Sequence, residues 1–174
     1  MKKIKLFLDI DGVLNNTNDN KKVYNYYKKN NLKSEYMAGV KVFEFNENKP
    51  TFDFVNVQKL KQLNNVLKKF DVDVYIISSW CQSGYMSNDY KKKYSDFFNM
   101  NVLNSIEYTI GCGRTRFQHS QEFINDGDIV LYLDDTKIPK DIIIPNNFIV
   151  PNINCGLSKD NIKYIKRMIY QNMK

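Results

Sequence analysis

The chain predicts an α/β fold built on a parallel sheet, and three observations carry that reading. Apolar runs at Ile4 to Leu8, Val72 to Ile77 and Ile129 to Leu133 have the length of buried strands. Between the first two, Val57, Leu60, Leu63, Val66, Leu67 and Phe70 recur at helical spacing. A helix joining two buried strands implies a right-handed crossover, hence parallel neighbours. Each of the three runs also ends in polar groups: Asp9-Ile10-Asp11, Ser78-Ser79 and Asp134-Asp135.

In chain order, Ile4 to Leu8 is interrupted only by Lys5 and closes on Asp9-Ile10-Asp11-Gly12, where glycine lets the backbone turn. The Asn-rich stretch from Asn15 to Asn31 carries Tyr24, Tyr26 and Tyr27 as local packing candidates. Val40 to Phe45 alternates with period two, Asn46 to Pro50 supplies a turn, and Thr51 to Phe54 follows, which reads as a β-hairpin. Residues 15–54 are therefore expected to be an insertion, a flap or small cap beside the acidic end of the first strand. The helix from Val57 stops near Asp71. Ser83 to Asn101 is polar and aromatic, helical from Asn88 to Asn99, and Val102 to Ile110 reads as a short helix followed by an extended piece. Gly111 to Arg116 reads as a loop, and His119 to Asn125 as a short helix stopping before Gly127. Phe148-Ile149-Val150 is a fourth, shorter strand. Ser158 caps a final helix with Asp160 in its first turn and Ile162, Ile165, Met168 and Ile169 inward.

At 174 residues, with no internal repeat or linker, the expectation is a single domain over 1–174. Lys+Arg 26 against Asp+Glu 19 leaves a net charge of +7, compatible with a polyanionic partner such as nucleic acid. The lysines, however, fall in short scattered clusters of the kind that solvated helix faces carry. Three cysteines, Cys81, Cys112 and Cys155, have no CxxC spacing and an odd count, so neither a disulfide framework nor a zinc site follows. No run has the length of a signal peptide or a membrane span. A soluble protein of the reducing cytoplasm, without a membrane partner, is expected.

The chemistry lies at the strand ends. Alternation along an extended chain sends Asp9 and Asp11 to one side, and two charges held that close repel unless a cation intervenes. Asp and Gly also serve as ordinary turn formers and caps, so the pair by itself decides little. In a parallel sheet all three ends lie along one edge, where ligands of open α/β sheets bind. Four carboxylates, two hydroxyls and the arginines of the Gly111 to Arg116 stretch would meet there. Carboxylate oxygens suit Mg²⁺, and hydroxyl and guanidinium donors suit the oxygens of a phosphate.

The order DxDGV, apolar strand plus Ser, basic residue, apolar strand plus Asp-Asp resembles the haloacid dehalogenase-like (HAD) phosphohydrolase superfamily. More narrowly, LFLDIDGVLN, YIISSW, an Arg-rich loop followed by Glu122, VLYLDD and Cys155-Gly156-Leu157-Ser158 resemble the HAD domain of Swiss-army-knife RNA repair proteins. Two marks of that narrower group are altered: Cys81 stands where an arginine usually follows Ser-Ser-x-Trp, and His119-Ser120-Gln121-Glu122-Phe123 replaces an RGxEI segment.

The resemblance implies a three-layer α/β/α, Rossmann-like arrangement and a phosphomonoesterase using Mg²⁺. It implies that Asp9 is the nucleophile, forming an aspartyl-phosphate. Asp11 would be the general acid and base, favouring phosphate-ester hydrolysis over dehalogenation. Ser78, or Ser79 if the strand end falls one residue later, would bind the phosphoryl group. Arg114 or Arg116, the second marginally favoured, would neutralise its oxygens. Asp134 would hold the metal with Asp9 and the Asp11 backbone carbonyl, supported by Asp135. The substrate would be a nucleotide or a nucleic-acid terminal phosphate. A small-metabolite phosphatase and a non-catalytic HAD-like binding module are the competing readings. His119 reads as a surface or structural residue, and Trp80 as core.

Overall fold

A computed structural model of the protein describes residues 3–30, 36–37, 39–46, 51–80, 88–105, 113–136 and 147–173. The central sheet contains β1 (Ile4–Leu8), β5 (Val72–Ile76), β6 (Val102–Ser105), β7 (Ile129–Leu133) and β8 (Phe148–Ile149). Its order is β6-β5-β1-β7-β8, and every neighbouring pair is parallel. β1 takes the centre because all five of its residues are buried, and strands covered on both faces must read as near-continuous apolar runs. Lys5 is tolerated because its ammonium meets the Tyr75 hydroxyl at 3.4 Å and Asp128 at 3.7 Å.

Successive side chains of β1 feed opposite faces. Ile4, Leu6 and Leu8 join the main core with Leu60, Leu63 and Leu67 of α2 (Val57–Leu67), Tyr94 and Phe98 of α3 (Asn88–Phe98), and Ile165 and Ile169 of α5 (Lys159–Asn172). Phe7 points the other way, stacked on Tyr75 at 5.2 Å and Tyr132 at 4.8 Å, over Phe117 of α4 (Gly113–Ser120). Helices thus cover both faces, the three-layer α/β/α arrangement of a Rossmann-like sheet. Ser158 caps α5 through a capping box with Asn161, as the sequence suggests.

Between β1 and α2 lie α1 (Thr17–Asn30) and a separate antiparallel sheet of order β2-β3-β4, made of Tyr36–Met37, Val40–Asn46 and Thr51–Asn56. The hairpin is present, with an irregularity between Val42 and Glu44. Val23, Val40 and Phe54 form a small core of their own, and Phe43 packs onto Tyr94 and Phe97 at 4.7 and 4.9 Å. This sheet is therefore clamped between α1 and α3. α1 escapes a periodicity reading because it buries only Asp19 and Val23 and so has no apolar stripe.

Three expectations are corrected. Val102–Ser105 is an edge strand rather than a short helix, because β5 supplies its backbone partners, with Val74 opposite Val102. Residues 106–112, with the extended piece predicted there, lie outside the described residues. Arg114 and Arg116 stand on a helix rather than in a loop, since α4 starts at Gly113 and is anchored by the burial of Arg116 and Phe117. A 3₁₀ turn, Gln121–Phe123, follows where a helix over His119 to Asn125 is expected. No helix among the described residues is long and apolar enough to cross a membrane.

Candidate active site

The register of the central sheet builds the site. Leu8 lies opposite both Ile76 and Leu133, so β1, β5 and β7 end level with one another. One residue further, Asp9 N–H donates to Leu133 O at 2.8 Å and Ile77 N–H to Leu8 O at 2.9 Å. Asp9 and Asp134 are thus held by the same ladder that holds the strands. Their carboxylates, with that of Asp135, each offer an oxygen within 4.8 Å of the others. Asp9 and Asp134 are buried and Asp135 is half-buried.

Arg116 reaches in from α4, 3 % exposed. Its Nη2 donates to Asp134 Oδ1 at 2.9 Å and to Thr136 Oγ1, and its Nη1 donates to the Ile77 carbonyl at 3.1 Å. Nη1 also stands 3.6 Å from Asp9 Oδ2. Arg116 therefore stands at this acidic cluster; the side chain of Arg114 lies outside the described residues.

Three carboxylates against one guanidinium leave a surplus of negative charge, and the acidities show it. Burial, then the neighbouring Asp134, pushes the Asp9 carboxyl up to about 8, against the opposing pull of Arg116, Ser78 and the Ile10 N–H. Burial likewise raises Asp134 and, with Asp134 beside it, Asp135. Asp134 Oδ2 is buried, lies 2.7 Å from Arg116 Nη2, and receives no aligned hydrogen bond. A crowded, under-donated carboxylate set is what a hard divalent cation with oxygen ligands relieves, so these residues fit Mg²⁺. Gly12, at φ +75°, lets the adjoining turn close on Asp135; a Cβ there would stand 2.0 Å from Asp135 Oδ2.

Ser78 is fully buried beside Asp9, whose carboxyl it helps to hold down; its hydroxyl completes no hydrogen bond of good geometry, and it does not line the pocket at the strand ends. Ser79 faces Asp11 instead, with Oγ 3.4 Å from Asp11 Oδ2. Asp11 is exposed, and its side chain is not part of the three-carboxylate cluster. Its firmest contact is Asn15, whose Nδ2 donates to Asp11 Oδ1 at 2.7 Å. Asp9, Asp11, Ser79, Arg116 and Asp135 share a pocket of about 300 Å³. A larger groove of about 500 Å³, between α2 and α3 beside the start of β5, contains none of them.

Two site residues escaped sequence reasoning. Asn15 ends the LFLDIDGVLN stretch, and Thr136 follows Asp134-Asp135, where its N–H donates to Asp134 Oδ1 at 2.8 Å. Their proximity to the acidic pairs was the available signal. His119 is exposed and does not line the pocket, and Trp80 stacks on Phe43 at 5.7 Å as a core residue. Cys155 is a free, exposed thiol; Cys81 and Cys112 lie outside the described residues.

Residues 5–162 match the family described as the HAD domain in Swiss Army Knife RNA repair proteins. No curated protein and no solved structure matches the chain. The family match runs from β1 into α5 and so spans all three acidic and hydroxyl-bearing strand ends. With an acidic cluster at the strand ends that the match spans, the chain belongs to the HAD domain family of Swiss Army Knife RNA repair proteins.

Proposed function

We propose that the protein is a Mg²⁺-dependent phosphomonoesterase acting through an aspartyl-phosphate on Asp9. The observation that carries this is the pairing of two unlike aspartates in one pocket. Asp9 is buried with Asp134 and Arg116, and Asp11 is exposed two residues on. An Asp9 oxygen attacks phosphorus, and the ester P–O bond breaks with its electron pair on the leaving oxygen, which takes a proton from Asp11. Asp11, now a carboxylate, takes a proton from water as that water attacks the same phosphorus, releasing phosphate and restoring Asp9. Ser78 and Arg116 hold the phosphoryl oxygens in both halves. Asp9, Asp134, Asp135 and the Asp11 carbonyl would hold Mg²⁺, which when bound supplies charge neutralisation and favours ionised Asp9.

A nucleic-acid terminal phosphate is the substrate class we favour, and α1 supports it. Thr17 and Asn20 of α1 line the pocket. Beyond them the helix presents exposed Lys21, Lys22, Tyr24, Lys28 and Lys29, with the Lys28 ammonium 5.9 Å from the Tyr24 ring centroid. Its one acid, Asp19, is buried and paired with Lys59 at 2.8 Å, so the exposed face is cationic. Lysines beside an exposed aromatic suit a single strand. In the same reading residues 15–54 form a cap at the pocket rim, and the exposed free thiol of Cys155 suits a reducing cytoplasm. A small-metabolite phosphatase is the second reading, favoured by a pocket lining whose one cation among the described residues is Arg116.

The test is hydrolysis of p-nitrophenyl phosphate with Mg²⁺, with EDTA, and by Asp9→Asn. Turnover that survives EDTA or the substitution overturns the mechanism, and turnover of no phosphate ester leaves a binding module. Oligonucleotides bearing 3′- or 5′-phosphates, run against free nucleotides, separate the two substrate classes. Preference for the oligonucleotides, lost steeply with salt, is the expected result.

A further inference from the structure

We infer that Asn15 is the positioning residue for Asp11, tying the orientation of the acid–base carboxylate to strand β4 of the antiparallel sheet. The inference rests on the reading of Asp11 as general acid and base.

Asp11 is exposed at the end of a strand, so nothing in its own burial selects a rotamer. Asn15 is 4 % exposed and spends its amide on three partners. Oδ1 accepts from Gly12 N–H at 3.1 Å. Nδ2 donates to Asp11 Oδ1 at 2.7 Å and to the Phe54 carbonyl of β4 at 3.0 Å. The network settles the amide's orientation, because the reversed one would set its oxygen against a carboxylate and a carbonyl.

The bond to Asp11 is short and charge-assisted, the kind strong enough to hold an exposed carboxylate. The Ser79 contact to the other oxygen, at 3.4 Å, is far weaker. Asn15 thus grips Oδ1 and leaves Oδ2 to the pocket side, where Ser79 and the substrate oxygen would meet it. The Phe54 bond adds the second half of the inference. Together with Asn56 N–H donating to Leu14 O at 2.8 Å, it fastens the 11–15 turn to β4. Any displacement of that sheet takes a hydrogen-bond partner from the residue that aims Asp11. Alanine at 15 leaves Gly12 N–H and Phe54 O without this partner. Aspartate keeps the shape and the Gly12 bond but sets a like charge against Asp11.

The experiment compares the intact protein with Asn15→Ala and Asn15→Asp across phosphate monoesters of graded leaving group. A low-pKa phenolate leaves with little help from an acid, whereas an alkoxide needs the proton. We expect kcat/KM for an alkyl phosphate to fall about 100-fold in both variants, while that for p-nitrophenyl phosphate changes less than about threefold. A burst of p-nitrophenolate should appear as the phosphoenzyme waits for its base. An equal fall across the series, or none, overturns the inference. Asn15→Asp, which keeps the side-chain volume, guards against loss of folding in Asn15→Ala, and circular dichroism checks both. A wild-type protein inactive on every ester sinks the phosphatase reading itself, a separate outcome from an active wild type with uniformly impaired variants.

Discussion

Asp9 and Asp11 stand two residues apart, yet different parts of the molecule hold them. Asp9 belongs to the central sheet: its backbone continues the β1–β7 ladder and its carboxylate is wedged against Asp134 and Arg116. Asp11 belongs to the turn: it is exposed, and side chains of Asn15 and Ser79 reach it. The first arrangement is rigid because moving it breaks a parallel register; the second is held by a few local hydrogen bonds that β4 completes. A nucleophile gains from the first kind of support, and a proton carrier that must meet both leaving group and water is compatible with the second.

The widest separation of the two should come from substitution by asparagine. Asp9→Asn should lower kcat by about 10⁴-fold or more, and Asp11→Asn by about 10²- to 10³-fold, in steady-state assays on one ester. Their stabilities should part as well. Asp11→Asn should stay within about 0.5 kcal/mol of wild type in urea unfolding, being exposed. Asp9→Asn should stabilise the metal-free protein by about 1–2 kcal/mol at pH 8, by removing a buried carboxyl that must take up a proton as the chain folds around it beside Asp134.

Next in size is Arg116→Ala, which leaves Asp134 and Asp9 without their guanidinium and should cost about 3–5 kcal/mol without metal. Loss of less than 1 kcal/mol would show that the pair contributes little to the fold, contrary to its burial.

The pH dependence comes third. The folded protein holds a proton on Asp9 up to about 8, and the carboxyls of Asp134 and Asp135 also sit above their ordinary value of 3.8, which the unfolded chain restores. Folding therefore takes up protons between those limits. This contribution is full below the unfolded value and is lost as pH rises through about 8. The metal-free melting temperature should drop across that window, and Mg²⁺ should raise it more at pH 8 than at pH 6, because protons and metal compete for the same oxygens. An Mg²⁺ shift independent of pH would break the link between the cluster and the ion.

The smallest effect expected is that of Tyr24→Ala with Lys28→Ala: about three- to tenfold on a phosphorylated oligonucleotide and none on p-nitrophenyl phosphate. Equal loss on both would count against α1 as a strand-contacting face.

The parts of the site legible in the sequence are those that hang on strand ends. Asp9, Ser78 and Asp134 each follow an apolar run, and a run of buried-strand composition announces where it stops. Arg116 was legible as a residue type but not as a position on a helix, because two glycines read as a loop when the burial of Phe117 is unseen. Asn15 and Thr136 were silent, since an asparagine or a threonine in a turn is ordinary until its partners are known. α1 was silent too, its stability resting on a few contacts and no repeated apolar face.

By itself, then, the order of apolar runs and polar tips determined a parallel α/β sheet with an acidic edge, because burial and alternation are local properties of a chain. That Arg116 enters, which serine stands beside Asp9, and what steadies Asp11 were decided by tertiary packing. Those outcomes depend on a helix 18 residues before Asp134 and a strand 39 residues after Asn15, contacts between segments whose relative placement no local pattern encodes.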